Sequence, residues 1–253
     1  MTTQLDVVTS AEHLLALYIE VDRALAVAAA ETVQQTVTVI ARLSVLAIPG
    51  VEQASITESR HSRFRTLVST GPMASEADGI QYELGSGPCV DAVTDDAVCR
   101  SDDVSVDGRW PSFGRRAAAE TGAASVMAFR LYLENDRDLI TGLNLYSTRL
   151  AAFDEFAQTV ASVVATHSAQ AMMTATARAT AAHLNQALAS NREIGTAMGI
   201  IMATHKVTRG DAFDMLRTAS QNSNRKLIDI AIDVVDTGLL EPTPANRHCT
   251  RRR

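Results

Sequence analysis

From Phe153 to Met202 the chain runs without a proline, and its helical pattern passes through Val160, Val163, Val164, His167 and Ala171 into an Ala/Thr-rich passage leading to Leu184. Unbroken, this is one helix of roughly 50 residues, about 75 Å long at 1.5 Å per residue. A helix of that length needs a partner along it. Met172, Met173, Ala177 and Leu184 fall near heptad spacing, so residues 171–190 read as a helical connector that pairs as a parallel two-stranded coiled coil in a homodimer. Intramolecular pairing with the amino-terminal helices is the rival arrangement. Phe156 to Ala177 carries no charged residue and is long enough to cross a bilayer, but Gln158, Thr159, Ser162, Thr166, His167, Ser168 and Gln170 make it too polar for one. No membrane partner is expected.

Beyond Leu184 three apolar-periodic segments are punctuated as a small helical bundle spanning residues 184–240. In the first, Leu184, Leu188, Ile194, Met198, Ile201 and Met202 make one apolar face that stops near Thr204-His205. Thr208, three residues before Asp211, reads as the N-cap of the second, with Ala212, Phe213, Leu216 and Ala219 at buried-type positions. The polar run Gln221 to Asn224 ends it. Asn224 then reads as the N-cap of the third, which carries Leu227, Ile230, Ala231, Val234 and Val235 to a C-terminal Gly238. Ala197 and Gly199 suggest close packing against a neighbouring helix.

Charge is distributed unevenly. The whole chain stands at -6, yet residues 184–253 hold 10 Lys+Arg against 7 Asp+Glu, leaving 13 against 22 for residues 1–183. An acidic front and a mildly basic tail point to separate jobs. The only two lysines, Lys206 and Lys226, join Arg192, Arg209, Arg217 and Arg225 in the bundle. Arg225 and Lys226 fall in what reads as the first turn of the third helix, where free N–H groups and the dipole already favour an anion. Cations there oppose the macrodipole by roughly 0.3 to 1 kcal/mol each. An anionic partner explains the pair better than helix stability does, although surface Arg and Lys also serve solubility alone.

The run NREIGTAMGIIMATHKVTRGDAFDMLRTASQNSNRKLIDIAIDVV resembles an ANTAR domain, the RNA-binding module of transcription antiterminators. The likeness is carried by Ala197, Gly199, Ile200 and Met202, then Ala212, Phe213, Leu216 and Arg217, then Asn224 to Leu227; Met198 stands where many members have lysine. The resemblance implies recognition of two adjacent RNA stem-loops, which keeps a terminator from forming. No Trp or Tyr lies beyond Tyr146, so the aromatic platforms of other RNA-binding folds are missing and base reading falls to amide, hydroxyl and guanidinium groups. The expected RNA-binding residues are Arg192, Arg209, Arg217, Ser220, Gln221, Asn224, Arg225 and Lys226.

At the amino-terminal end, 11–30 and 31–46 are helical in period, and Ile48-Pro49-Gly50 closes the second. Strand-like runs follow at 51–57, 64–69, 97–100, 123–133 and 139–147, with short helices at 90–93 and 110–121 and a hairpin turn at Asn135-Asp136. Mixed helices and hairpin-linked strands indicate an α+β domain with an antiparallel sheet. GSGPCVDAV, DGRWPSF and TGLNLYS resemble a GAF domain of the kind found ahead of ANTAR modules, over roughly residues 10–170. That resemblance implies six strands with helices on both faces and a pocket for a small-molecule ligand, which is not identified by it. Trp110 and Pro111 read as packing and turn residues.

Cys89, Cys99 and Cys249 form no C-x-x-C pair, the six histidines show no metal-ligand spacing, and no signal peptide is visible, so a cytoplasmic protein without metal or cofactor is expected. Asp102-Asp103 resembles an acid pair but lacks an accompanying base or phosphate loop. No catalytic constellation emerges, and the chain is not expected to be an enzyme. Two alternatives remain: a redox enzyme of the methionine sulfoxide reductase type built on Cys89 and Cys99, with a helical dimerisation module, and a scaffold whose carboxy-terminal bundle binds another helix. Residues 241–253, with Pro242, Pro244 and Arg251 to Arg253, read as a disordered basic tail.

Overall fold

The computed structural model describes residues 4–61, 63–94, 97–131 and 139–240, in two compact units, Met1–Ala179 and Thr180–Arg253. The turn expected at Asn135-Asp136 and the tail from Glu241 lie outside the described residues.

The first unit opens with α1 (Gln4–Ala29) and α2 (Val33–Ala47). Thr32 starts α2 with a capping box, exchanging hydrogen bonds with Gln35. Ile48 to Gly50 closes it. Gly50 has φ +86°, and a side chain there would strike the Ala152 carbonyl, so the turn requires glycine. Then come β1 (Gln53–Arg60), β2 (Arg63–Ser69), α3 (Pro72–Leu84), α4 (Pro88–Thr94), β3 (Val98–Ser101), α5 (Pro111–Thr121), β4 (Ser125–Leu131) and β5 (Leu139–Ser147). All five strand-like runs become strands of one antiparallel sheet in the order β2-β1-β5-β4-β3. The sixth strand implied by resemblance is not among the described residues.

Alternation along the strands builds a core on each face of the sheet. Met127, Phe129 and Leu131 of β4, with Leu143 and Leu145 of β5, meet Val21, Leu25, Ile40, Val160 and Val164 from the helices of one side. Val126, Ala128 and Tyr146 point the other way, onto Ala77 and Ile80 of α3, Ala92 of α4 and Phe113 of α5. Helices on both faces therefore hold as expected. The helix α3 has no counterpart in the sequence reading, because Asp78 and Gln81 occupy its buried face alongside Ala74 and Ala77 and interrupt the apolar pattern.

The long helix is real. α6 runs Glu155–His205, 51 residues, and begins where the Asp154 carboxylate accepts from the Ala157 N–H at 2.8 Å. The second unit contains its carboxy-terminal part, α7 (Arg209–Ser223) and α8 (Leu227–Thr237). Ala197, Met198 and Ile201 of α6 pack on Ala212, Leu216 and Ala219 of α7 and Ile230, Ala231 and Val234 of α8. Thr208 and Asp211 form the expected capping box, and Gly238 closes α8 in the left-handed conformation.

Three local expectations are corrected. Asn224 does not start the third helix; it ends the second, with φ 53° and ψ 34°, and Lys226 is the N-cap of α8. Asparagine suits both roles, since its short side chain tolerates the left-handed region as well as capping. Phe213 is not a core residue, being 39% exposed while Ala212 and Leu216 beside it are buried. Gly199 allows no close packing either: a methyl group there, or at Gly195, would meet nothing within 4 Å.

Candidate nucleic-acid interface

The bundle places Ser220, Gln221, Asn224, Arg225 and Lys226 at the α7–α8 corner. Ser220 ties the corner, its hydroxyl donating to the Arg225 carbonyl at 2.6 Å while the Arg225 N–H donates to the Ser220 carbonyl at 3.2 Å. Between them Asn224 turns the chain in the left-handed conformation, its N–H directed at the Gln221 and Ser220 carbonyls. Gln221, Asn224, Arg225 and Lys226 are all exposed. Lys226 caps α8 without a side-chain hydrogen bond, the Asp229 N–H turns back to the Lys226 carbonyl at 3.0 Å, and Asp229 supplies the carboxylate of that first turn.

The cations differ in readiness. Arg225 precedes the helix instead of entering its first turn, and its guanidinium donates to Asp233 at 2.6 Å with both partners about half exposed. Arg217 pairs with Asp214 at 2.8 Å, also in solvent. Exposed pairs of this kind contribute about 0–1 kcal/mol. A phosphate can displace the carboxylate at little loss. Arg209 and Lys226 are in no ion pair among the described residues. Arg192 stands apart: it lies 13 residues before the end of α6, about 20 Å along the helix, and contacts its neighbour Glu193. The structure thus brings together Ser220, Gln221, Asn224, Arg225 and Lys226, with Arg217 one turn away. Arg209 sits at the other end of α7.

The first unit holds a buried polar cluster that the sequence did not single out. Asp78 of α3 accepts from the Tyr146 hydroxyl at 2.6 Å, from the Asn144 amide at 3.0 Å and from the Thr66 hydroxyl at 2.7 Å. Gln81 donates to the Tyr146 hydroxyl and accepts from the Cys89 N–H at 2.7 Å. Tyr82 joins through Thr57 and Thr66. Burial raises the Asp78 carboxyl despite the donors around it, and also raises the Tyr82 and Tyr146 phenols. The Asn144 side-chain oxygen Oδ1 is buried without a hydrogen-bond partner among the described residues. A readable signal existed in β5, where Asn144 falls between Leu143 and Leu145 and shares a face with Tyr146.

Cys89 is part of this cluster. Its thiol is fully buried and burial, with Asp78 nearby, pushes it up to about 12. A thiol in that state is a poor nucleophile. Cys99 is buried as well. The Asp102-Asp103 pair is structural: Asp102 pairs with Arg100 at 3.0 Å and Asp103 accepts from the Ser105 N–H and hydroxyl. Trp110 packs as expected, its indole N–H donating to Asp91 at 2.7 Å and its ring covered by Arg109. Among the described residues no group of His, Cys, Asp and Glu is placed to hold a metal ion, and no helix is long and apolar enough to cross a membrane.

Comparison with known proteins agrees with this division. Residues 182–235 match the ANTAR domain. A search of curated proteins found no match. Among solved structures, the GAF domain of a phosphoenolpyruvate-protein phosphotransferase from Coxiella burnetii is similar at 15% identity and TM-score 0.51, covering 67% of this chain and 96% of that one. An N-acylhomoserine lactone dependent LuxR family transcription factor, CepR2 from Burkholderia cenocepacia, is similar at 14% identity and TM-score 0.50, covering 65% and 99%. A free methionine-R-sulfoxide reductase from Neisseria meningitidis gives 17% identity and TM-score 0.48 over 64% and 92%, a likeness that says nothing of chemistry. The chain therefore carries an ANTAR domain, the module of RNA-binding antitermination regulators, following in sequence a domain of the GAF fold.

Proposed function

We propose that this protein is a transcription antitermination regulator that holds two adjacent stem-loops of a nascent RNA and so keeps a terminator from forming, under the control of a signal at its GAF-fold domain. The observation that carries the reading is the α7–α8 corner: amide, hydroxyl and cationic groups converge on a helix start without a side-chain cap, inside the ANTAR match. Arg192, Arg209, Arg217, Arg225 and Lys226 supply phosphate attraction; Ser220, Gln221 and Asn224 supply base-edge donors and acceptors.

Two stem-loops call for two bundles, which a homodimer supplies. Leu184 and Leu188 on α6 are 60% and 59% exposed in the single chain, as a coiled-coil seam awaiting its partner is. The surface formed by α1 and the start of α6 adds to this, with Leu15, Tyr18, Ile19 and Phe156 all exposed. No Asp, Glu, Lys or Arg occurs from Phe156 to Ala177; Val160, Val164 and Met172 of this stretch pack in the chain's own core, while Phe156 and Met173 stay exposed. A small molecule bound by the GAF-fold domain, or a modification there, shifts the population of binding-competent bundles and with it RNA affinity.

Replacing Arg225 and Lys226 by Ala tests the site. Binding of the full chain to an RNA of two adjacent stem-loops weakens, and the slope of log K against log salt shrinks by about 0.7 to 0.9 for each phosphate contact removed. Unchanged affinity and slope remove the corner from the interface. Sequencing RNA crosslinked to the protein identifies the target.

A further inference from the structure

We propose that Phe213 is a base-stacking residue of the RNA interface, at the middle of a contact strip along α7 that continues into the α7–α8 corner. The proposal deepens the RNA-binding reading and rests on it. At 100° per residue Arg209, Ser220, Phe213 and Arg217 fall within an arc of about 80° on α7, over about 17 Å of its length, and Asn224 ends the helix beyond them. The core side of the helix is a different arc, made by Ala212, Leu216 and Ala219. Asp211 and Asp214, the acidic residues of α7, both point outside the strip.

Three observations single out Phe213. It is the only aromatic residue after Phe156. The residue is 39% exposed although the helix already fills its share of the core without it. Finally, Arg209 lies one turn before it and Arg217 one turn after, about 6 Å away along the axis in each direction. A ring flanked by two guanidinium groups offers an unpaired loop base a stacking surface and offers the phosphates on either side of that base a cation each. Arg209 is in no ion pair among the described residues, and the Arg217–Asp214 pair is solvent-exposed on both sides. Ser220 and Asn224 then stand at the corner end of the strip to read the edges of neighbouring bases. A hydrophobic contact with another protein helix uses the same ring but has no need of the two arginines.

The test uses the full chain and a pool of transcripts with two adjacent stem-loops and randomised loop bases, selected against the wild-type protein. Affinity of the selected RNA is then measured for Phe213→Leu and Phe213→Trp. Leucine keeps the apolar bulk and removes the stacking face, so binding weakens roughly 5- to 100-fold, with the salt slope unchanged because no charge is lost. Tryptophan restores binding, and its emission is quenched on RNA addition above the constant signal of Trp110, which is 2% exposed. Wild-type affinity in Phe213→Leu, or unmoved emission in Phe213→Trp while RNA is bound, overturns the stacking role and leaves the RNA-binding reading standing. Should the wild-type chain select no RNA from the pool, that reading fails and the role of Phe213 with it.

Discussion

Asp78 shows what a single residue can decide in this chain. Its carboxyl is buried against neutral donors only, Tyr146, Asn144 and Thr66, so its charge is not balanced by a cation among them. Burial therefore raises its folded-state value above the 3.8 of an ordinary aspartate. For a group raised on folding, the associated stability is fully present below the unfolded value and is lost as pH climbs through the folded one. Wild-type protein should thus lose stability relative to Asp78→Asn as pH rises above 3.8, a difference that urea midpoints across that range will show. Equal pH dependence in the two proteins contradicts the assignment. The same cluster holds Cys89, whose thiol burial pushes up, away from the thiolate form that nucleophilic chemistry uses.

Individual elements were legible in the sequence where punctuation was strong. Thr208 with Asp211, and Gly238, fixed two ends of the bundle's helices because capping needs particular side chains at particular offsets. Strand β5 was read to its first and last residue, since apolar alternation and flanking polar residues coincide there. α3 stayed hidden because its buried face is partly polar, and no single-sequence pattern distinguishes a buried Asp78 from a solvated one. In the candidate interface, the amide and cationic residues of the corner were legible as residue types. The exposure of Phe213 was not, because spacing alone placed it with Ala212 and Leu216. Gly195 and Gly199 make a further point: among the described residues nothing lies within 4 Å of a methyl group placed at either, and glycine within a helix is less favourable than alanine by about 1 kcal/mol. Gly199→Ala should accordingly raise the melting temperature, with an increase of up to about 1 kcal/mol in unfolding free energy. A fall in stability would reveal an internal contact at that face.

At the scale of the molecule, the proposed reading assigns self-association to exposed apolar residues of α1 and α6 and nucleic-acid binding to the basic bundle. Sedimentation should give twice the chain mass of 27.1 kDa for the wild type. Leu184→Glu with Leu188→Glu should return the mass toward the monomer if the connector forms the seam, and Ile19→Glu with Phe156→Glu should do so if the α1–α6 surface does. A wild-type monomer at all concentrations excludes both. High salt should separate the two behaviours, releasing RNA while leaving the apolar association intact.

Lysine is so scarce that the protein comes with its own footprinting labels. Both of its ε-amines, on Lys206 at the end of α6 and on Lys226 at the start of α8, are exposed in the bundle. Brief acylation followed by peptide mass mapping therefore reports on that region without any engineered tag, and bound transcript should shield Lys226 while an unrelated polyanion of equal charge shields it less.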